Sequence, residues 1–431
     1  MASPPPPPGI SIYAELLQNI RQVSVAASLS SPANASTAAT VAPNGSTIRL
    51  RHDGLDASLA LPARVAAPPS ALPIPSAAPS SSLAWRLPLL LLAPGHQVRQ
   101  EQHRSDLDAV PWPATALLPG GPVGCRGCGG LVVGVGRVRA WKDLPSENWA
   151  EMMEFWHCHK PGDHGHGHGG HGEADGRADE KSLAARGYGA DSAISAQEGV
   201  GFVDLTSFLF SEGDCEGILY SLASGTGSTD RSALMEEEAD DVRRTIHISC
   251  AGCEARLGYF NQRTSAVTLF KWQVSCTTKE SATSLPSQLP PQPTVAECLS
   301  ATLIATTSRS GSSKSLLVPI PEGGPASAPA TATASLHLWT LNNTIRYSST
   351  ALADPTTPVP AMKLLYRTVG AAEADRMLDA VASDVQEVGG LPADAVAAVA
   401  AELEVGTALL PPAEREFRGW QVGLLRRWEG G

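Results

Sequence analysis

The chain has 431 residues and 42% of them are hydrophobic, so it is long enough for two or three domains and apolar enough to bury a core. Its formal net charge of -11 at pH 7 excludes long-range attraction to nucleic acid, and no basic stripe offsets that charge. The longest apolar run, near Leu90, contains Pro88 and is too short to cross a bilayer. We therefore expect no direct contact with nucleic acid and no membrane span.

The N-terminus carries neither the basic segment nor the apolar segment of a secretory signal. We expect a soluble protein of the cytoplasm, the nucleus or both. In such a reducing compartment, the eight cysteines are expected to be free thiols or metal ligands rather than disulfides.

Strand patterns dominate residues 1–124, which we predict to be an N-terminal β-rich region. Apolar residues alternate between Ile10 and Leu61, and "HDG" between two alternating runs predicts a hairpin turn. A tract rich in proline, alanine and serine follows, and this composition predicts a loop or linker.

Residues 125–280 contain two C-x2-C pairs and are predicted to form a zinc-knuckle region. An amphipathic helix is predicted at 146–157, and disordered inserts are predicted near 161–201 and 223–241. The first insert holds a histidine-rich tract that either binds metal loosely or is a mobile glycine-rich segment without function. Its histidines are His164, His166, His168 and His171.

Residues 290–431 are predicted to form a C-terminal α+β region with a linker near 321–334. A helix follows Thr294, which has a glutamate three residues later, as in a capping box. "SLHLWTLNNTIRYSS" predicts a hairpin that turns at Asn342–Asn343. Apolar spacing then predicts two helices, the first with an apolar stripe that extends to Val385.

The predicted fold class is α+β, mainly β. Antiparallel strands from both ends of the chain are expected around a four-cysteine zinc site, with helices in the C-terminal region.

The two cysteine pairs are the most specific chemical signal in the sequence. Zinc takes four thiolates in tetrahedral geometry, and each C-x2-C turn with its glycines supplies two adjacent ligands. Four ligands leave no position open for water, so the predicted Zn2+ is structural. The alternative is four unrelated thiols or a redox pair. The predicted ligands are Cys125, Cys128, Cys250 and Cys253.

The stretch "LPSENWAEMMEFWHCHK" predicts a helix capped by Ser146, with one apolar face. That face either packs into the core or docks on a partner. The residues predicted to bind a partner are Trp149, Met152, Met153, Trp156 and Cys158.

Cys158 and His159 follow the apolar face and are the catalytic candidates. Three roles are open for a cysteine beside a histidine. Its thiolate is either a nucleophile that carries an acyl group as a thioester or a ligand for a metal, or the cysteine is inert. The remaining cysteines present no dyad: Cys298 is predicted to lie in a helix core, and Cys215 and Cys276 lie in polar stretches.

The motifs "CRGCGG", "LPSENWAEMMEFWHCHK", "CAGCEARLG", "LHLWTLN", "AMKLLYR" and "FRGWQVGLL" occur in an order that resembles the HECT-like ubiquitin-conjugating-enzyme-binding family of ubiquitin ligases. The resemblance implies a ubiquitin-protein transferase that binds a charged ubiquitin-conjugating enzyme and promotes transfer of ubiquitin. It also implies cyclin-type substrates.

The same resemblance implies a second, non-enzymatic role. The W-x-C-H segment would bind the zinc-dependent endonuclease of pre-mRNA 3′-end processing, and Cys158 would reach that partner's metal centre.

This sequence departs from a conventional HECT ligase, whose catalytic cysteine lies in a C-terminal lobe. Here the last cysteine is Cys298, more than 100 residues from the end. The ligase activity is therefore expected either to use Cys158 or to consist of recruiting a charged enzyme without covalent transfer.

Overall fold

The structure is a computed structural model, and it describes residues 9–66, 71–74, 80–90, 110–144, 195–222, 246–262, 264–282, 291–320, 334–380 and 383–429. Within these ranges the fold is mainly β, with three α-helices and with antiparallel pairing at all but two strand pairs. The predicted fold class is confirmed at this level. No helix among the described residues is long and apolar enough to cross a membrane.

The strands before the first helix are β1 (Ile10–Leu17), β2 (Gln22–Leu29), β3 (Ala38–Val41), β4 (Thr47–His52), β5 (Leu55–Ala60), β6 (Ser82–Pro88), β7 (Val123–Cys125), β8 (Leu131–Val133), β9 (Ala140–Asp143), β10 (Val200–Val203), β11 (Ser207–Ser211), β12 (Ile218–Ser221), β13 (Ile246–Cys250), β14 (Arg256–Asn261), β15 (Ala266–Phe270) and β16 (Val274–Cys276).

The later elements are, in chain order, α1 (Val295–Ser310), β17 (Lys314–Pro319), β18 (Ser335–Ser349), β19 (Val359–Val369), α2 (Ala371–Leu378), β20 (Val385–Leu391), α3 (Ala393–Leu409), β21 (Glu416–Phe417) and β22 (Trp420–Arg426).

Contacts group the described residues into two compact units. The first takes its residues from Met1–Pro111, Val295–Pro321 and Pro329–Gly430, and the second takes its residues from Trp112–Thr294. The first unit therefore contains strands from both ends of the chain. The three consecutive regions expected from the sequence stay a prediction.

A nine-stranded sheet forms the frame of the first unit. Its main order is β21-β22-β19-β18-β1-β2-β6, and β17 lies beside β18 with β20 next to it. Helix α3 packs closely on β22 because each element has a glycine, Gly406 in α3 and Gly423 in β22, where the other approaches. A Cβ added at Gly406 would lie 2.5 Å from the carbonyl oxygen of Leu424, and one added at Gly423 would lie 2.8 Å from the side chain of Leu403.

The predicted hairpin at "HDG" is confirmed. β4 and β5 pair through Asp53 and Gly54, whose φ angles of 47° and 80° suit a type I′ turn. The alternating residues Ile48, Leu50 and Leu59 are buried in one core with apolar residues of β1, β2 and β6.

Two predictions for the C-terminal region are wrong. Asn342–Asn343 does not form a turn, because β18 runs without interruption from Ser335 to Ser349 and pairs with β19 along its length. The asparagines lie instead where the pairing register between β18 and β19 shifts, and such β-bulges leave residues unpaired within a continuous strand. Val385 begins β20, where it pairs in parallel with Lys314, and the helix before it ends at Leu378.

The second unit contains a seven-stranded sheet, β12-β13-β14-β15-β11-β10-β9, and a three-stranded sheet, β16-β7-β8. Aromatic rings fill much of its core: the ring centroids of Trp141 and Phe208 are 5.4 Å apart, and those of Trp141 and Phe210 are 5.7 Å apart. Each of these two sheets carries one C-x2-C pair at the end of a strand.

Candidate metal centre

The first cysteine pair lies in a tight turn between β7 and β8. The N–H of Gly129 donates to the carbonyl oxygen of Cys125 at 2.8 Å, and the N–H of Cys125 donates to Gly130 at 2.7 Å. Gly129 has a φ of +74°, a left-handed conformation that glycine adopts without steric cost. This glycine allows the chain to reverse within the few residues between the two strands.

The second pair repeats this geometry between β13 and β14. The N–H of Glu254 donates to the carbonyl oxygen of Cys250 at 2.8 Å, and the N–H of Cys250 donates to Ala255 at 2.9 Å. Glu254 occupies the place that Gly129 has in the first turn, with a φ of 59°. A non-glycine residue in this conformation is uncommon, so the second turn is held in place by its surroundings.

The four sulfur atoms form one cluster. The Sγ atoms of Cys125 and Cys253 are 3.6 Å apart, those of Cys128 and Cys250 are 3.5 Å apart, and all four lie within 4.8 Å of one another. Zinc–sulfur bonds of about 2.3 Å in tetrahedral geometry give sulfur–sulfur separations of about 3.8 Å. The donor set and its spacing therefore fit a four-coordinate zinc ion.

Backbone amides surround the sulfur atoms. The N–H of Gly130 donates to Sγ of Cys128, and the N–H of Gly252 donates to Sγ of Cys250, each at 3.4 Å. Hydrogen bonds of this kind stabilise negative charge on sulfur. A Cβ added at Gly130 would lie 3.2 Å from Sγ of Cys128, so a larger residue there would crowd the cluster.

The cluster also shifts the acidity of its thiols. Desolvation raises the pKa of Cys250, but the amides of Gly252 and Cys253 and the neighbouring thiols outweigh it and lower the pKa to about 7. The pKa values of the other three cysteines are raised, that of Cys125 mainly by desolvation. Four thiols at this spacing ionise together only if a cation balances their charge, which is the chemistry that a zinc ion supplies.

The surroundings hold the two turns in fixed positions. Arg126, between the first two cysteines, donates from Nη1 to the carbonyl oxygen of Pro293 at 2.7 Å and to that of Trp272 at 3.2 Å. In the second turn the N–H of Ala251 donates to Gly217 at 2.8 Å. The cluster thus joins the three-stranded sheet to the seven-stranded sheet of the same unit.

The architecture and the cysteine cluster can be compared with known proteins. A family model described as HECT-like Ubiquitin-conjugating enzyme (E2)-binding matches residues 15–422, nearly the whole chain. The chain belongs to this family. The resemblance stated from the motifs is confirmed.

Two fungal relatives of this E2-binding family member match short segments. The uncharacterized protein YJR141W of Saccharomyces cerevisiae is 40% identical over 37 residues, which are 9% of this chain and 11% of that protein. The uncharacterized protein C1734.10c of Schizosaccharomyces pombe is 39% identical over 59 residues, which are 13% of this chain and 17% of that protein. No solved structure matches the chain.

Three other cysteines of this family member are described, and none resembles an active thiol. Cys298 is fully buried in α1, as expected from its place on the apolar face. Burial, with Asp214 and Glu212 nearby, raises the pKa of Cys215 to about 12. Burial also raises the pKa of Cys276 well above its usual range. Cys215 and Cys276 are therefore protonated at neutral pH, and protonated thiols are poor nucleophiles.

Several predicted site residues lie outside the described residues. They include the catalytic candidates Cys158 and His159, the histidine-rich tract, and the partner-binding residues Trp149, Met152, Met153 and Trp156. Of the predicted sites, the structure therefore brings together the four metal ligands.

Some residues around the site were not expected from the sequence. Arg126 anchors the first turn, yet an arginine between two cysteines carries no local signal of its distant partners. Glu254 was missed because it replaces the glycine that usually marks this conformation. The spacing of the matched turns, C-x2-C followed directly by a left-handed residue, is the signal that could have identified it.

Proposed function

We propose that this protein is a ubiquitin-protein ligase that binds a ubiquitin-conjugating enzyme (E2) charged with ubiquitin and promotes transfer of the ubiquitin to a substrate. The observation that carries the proposal is the family match over residues 15–422, whose description is E2 binding. The proposal adds the transfer step to that binding. Cyclin-type substrates and a location in the cytoplasm or nucleus stay predictions from the sequence.

The simplest transfer needs no nucleophile from this chain. The amine of a substrate lysine attacks the carbonyl carbon of the E2–ubiquitin thioester, a C–N bond forms, the C–S bond breaks, and the E2 thiolate leaves. The amine loses its proton to a base or to water. The ligase then acts by positioning the two reactants, which is a large source of rate enhancement. The high pKa values of Cys215 and Cys276 and the burial of Cys298 agree with this mechanism.

A covalent mechanism would depend on Cys158, the one cysteine among the chain's eight that lies outside the described residues. In this version the Cys158 thiolate attacks the E2–ubiquitin thioester and expels the E2 thiolate. A substrate amine then attacks the new thioester and releases Cys158. His159 would take the thiol proton in the first step.

Within this proposal the four-cysteine cluster holds a structural zinc ion. Cys125, Cys128, Cys250 and Cys253 would fill all four positions, so the ion would have no site for water or substrate. Its contribution is to fix the two turns, and with them the two sheets of the second unit, relative to each other.

The direct test is E2 binding by the purified full-length chain. A panel of E2 enzymes is charged with ubiquitin through a stable linkage and passed over the immobilised protein, with the uncharged enzymes alongside. We expect at least one charged E2 to bind and a Cys250→Ser variant to bind it much more weakly, because the second turn loses a ligand. Cys215→Ser is the matched control, since that thiol lies outside the four-cysteine cluster and donates to the carbonyl oxygen of Ser211.

Binding and transfer are then separated. In a reconstituted reaction we expect the chain to accelerate discharge of the bound E2 onto lysine. If a folded, zinc-loaded protein retains none of the charged enzymes, the proposed function is wrong. If it binds an E2 but leaves its discharge rate unchanged, the protein is a binding partner and not a ligase.

The covalent version has its own readout. A thiol-sensitive ubiquitin adduct on non-reducing gels, lost in Cys158→Ser, would establish it. Absence of that adduct together with unchanged transfer by Cys158→Ser would leave the recruitment mechanism.

The role implied for pre-mRNA 3′-end processing depends on the W-x-C-H segment, which lies outside the described residues. It stays a sequence-based prediction. Affinity capture that compares the wild-type protein with Trp156→Ala plus Cys158→Ala tests it, and full retention of the endonuclease by that variant would remove it.

A further inference from the structure

Three motifs that the proposed function leaves without a role meet on the nine-stranded sheet. They are "LHLWTLN" in β18, "AMKLLYR" in β19 and "FRGWQVGLL" in the hairpin of β21 and β22. His337 is the cross-strand partner of Arg367, and Lys314 of β17 is the partner of Trp339. We call the surface where they meet the tryptophan–arginine patch; it consists of Lys314, His337, Trp339, Arg367, Phe417 and Trp420.

Cations and indole rings alternate across the patch. The guanidinium of Arg367 lies 5.0 Å from the ring centroid of Trp420, and Nζ of Lys314 lies 5.2 Å from that of Trp339. The centroids of the two tryptophans are 6.2 Å apart. Tryptophan and arginine are the residue types that contribute most to binding energy at protein interfaces.

His337 gives the patch a buried ring whose Nε2 has no hydrogen-bond partner among the described residues. The side chain is 4% exposed and packs edge-on against Trp420, with ring centroids 4.7 Å apart. Its Nδ1 accepts a hydrogen bond from Nε of Arg367 at 3.4 Å. Desolvation, then Arg367 and Lys314, lower its pKa to about 4. The ring is therefore neutral at pH 7, and its proton is on Nε2.

That Nε2–H group has no hydrogen-bond partner within the part of the chain that the structure describes. Buried donors in proteins are nearly always paired, and leaving one unpaired is costly. An incoming acceptor would satisfy the donor. With two cations nearby, the acceptor that fits best is a carboxylate.

The two cations of the patch already hold carboxylates of this chain. Nζ of Lys314 is 2.6 Å from Asp384, and Nη2 of Arg367 is 3.1 Å from Glu373. The side chains of Asp384 and Glu373 are 68% and 41% exposed. Exposed pairs of this kind contribute little to stability, so a carboxylate from another molecule can replace them.

An exposed aromatic side chain lies beside these groups. Phe417 is 50% exposed and is the cross-strand partner of Trp420. The two residues between them, Arg418 and Gly419, have φ angles of 51° and 81°, which suit a type I′ turn. The guanidinium of Arg418 lies 5.3 Å from the ring centroid of Phe417 and adds a third cation.

We propose that the tryptophan–arginine patch binds an acidic peptide segment of a substrate protein, in which a carboxylate is followed by a bulky apolar side chain. The carboxylate replaces Glu373 on Arg367 and supplies the acceptor that His337 lacks. The apolar side chain packs on Phe417 and Trp420. The inference goes beyond the proposed function, because it concerns selection of the substrate rather than binding of the E2.

The test is selection of peptides by the full-length protein. A random phage-displayed peptide library is panned on wild type, on Arg367→Gln and on Phe417→Ala, which change side chains that are 41% and 50% exposed. The matched controls are Arg346→Gln, which removes an exposed arginine paired with Glu429, and Val405→Ala, which shortens an apolar side chain that is 64% exposed. Thermal unfolding of each variant verifies that it is folded.

We expect wild type and both controls to enrich peptides with an aspartate or glutamate beside an aromatic or aliphatic residue. The enriched peptides should bind Arg367→Gln and Phe417→Ala at least about tenfold more weakly, as expected for a side chain at the centre of an interface. Neutral peptides in which asparagine or glutamine replaces the acidic residue should bind wild type with a similar loss.

Three results would overturn the inference. The first is no enrichment of acidic–apolar peptides, and the second is that the enriched peptides bind the patch variants as tightly as wild type. The third is that the patch variants no longer bind the charged E2 but still bind the peptides. The third result would make the patch the E2 surface. Since E2 binding is measured on the same variants, failure of the peptide selection with E2 binding intact leaves the proposed function standing.

Discussion

The Sγ atoms of Cys128 and Cys250 lie 3.5 Å apart, although 122 positions separate the two residues in the chain. One belongs to the three-stranded sheet and the other to the seven-stranded sheet of the second unit. A metal ion between them cross-links a long loop, and such a cross-link acts on stability as well as on local geometry.

The first prediction concerns this cross-link. We expect the purified protein to contain one zinc ion per chain and to lose stability when a chelator removes it, because structural zinc sites bind with apparent free energies on the order of 10 kcal/mol. Elemental analysis and calorimetry measure the two effects. Cys250→Ser should reproduce the loss, whereas Cys215→Ser should keep both the zinc and the melting temperature. A metal-free protein as stable as wild type would contradict the prediction.

The matched turns give a second prediction. Gly129 and Glu254 hold equivalent left-handed positions, and a Cβ at Gly129 would meet no atom within 4 Å. Gly129→Ala therefore costs only the backbone strain, about 1 kcal/mol. Glu254→Gly relieves the same backbone strain in the folded state but increases the conformational entropy of the unfolded chain. Its net effect on the free energy of unfolding should therefore be near zero or slightly stabilising.

Chemical denaturation of the two zinc-loaded variants compares these effects. Equal destabilisation by both substitutions would show that the two turns are not equivalent. Gly311→Ala, at a left-handed glycine of the first unit with no neighbour within 4 Å, is the control.

The sequence was informative where a signal is local. Asp53 and Gly54 specify their own turn, and each C-x2-C pair specifies two adjacent ligands, so the hairpin and the cluster of cysteines could be predicted. The asparagines at 342 and 343 were misleading because cross-strand pairing of β18 with β19 outweighs a local turn preference.

The tryptophan–arginine patch shows what the sequence could not give. Trp339, Arg367 and Trp420 were recognised as parts of motifs, but no local pattern relates them. Their proximity follows from strand order, since β19 lies between β18 and β22. Strand order is set by pairing between residues far apart in the chain, and the alternation of apolar residues along one strand does not indicate which strand lies beside it.

A third prediction concerns a nearly buried ion pair that ties the N-terminal strand to the C-terminal part. Oε2 of Glu15 accepts hydrogen bonds from Nζ of Lys363 and from the hydroxyl of Tyr13, each at 2.8 Å. Burial, together with the charge of Glu15, raises the pKa of Tyr13 well above its usual range, so the hydroxyl stays a donor. Removing either partner leaves a charge poorly compensated.

We expect Glu15→Leu and Lys363→Met each to lower the free energy of unfolding by about 3 kcal/mol. The double variant should lose less than the sum, with a coupling energy of about 1 to 3 kcal/mol. The exposed pair Arg346 and Glu429 is the control, and its coupling should be below about 1 kcal/mol. Additive losses at Glu15 and Lys363 would show that the pair does not stabilise the sheet.

The last prediction uses His337 as a source of pH dependence. Its pKa is about 4 in the folded protein and 6.5 in the absence of structure. Above pH 6.5 the ring is neutral in both states, and the folded state keeps its full stability. As the pH falls from 6.5 to 4, the unfolded state takes up a proton that the folded state does not, so stability falls. Below 4 this contribution changes no further.

The loss across that window should reach about 3 kcal/mol, since each unit of pKa difference corresponds to about 1.4 kcal/mol. Urea denaturation at several pH values between 7 and 4 measures it. Carboxylates also titrate near the lower limit, so the comparison is with His337→Phe, which keeps an aromatic ring but has no titratable group. The free energy of unfolding of wild type minus that of the variant should therefore fall by about 3 kcal/mol between pH 7 and pH 4, whatever its value at pH 7. If the two curves remain parallel, the pKa of His337 does not differ between the folded and the unfolded state, and this prediction is wrong.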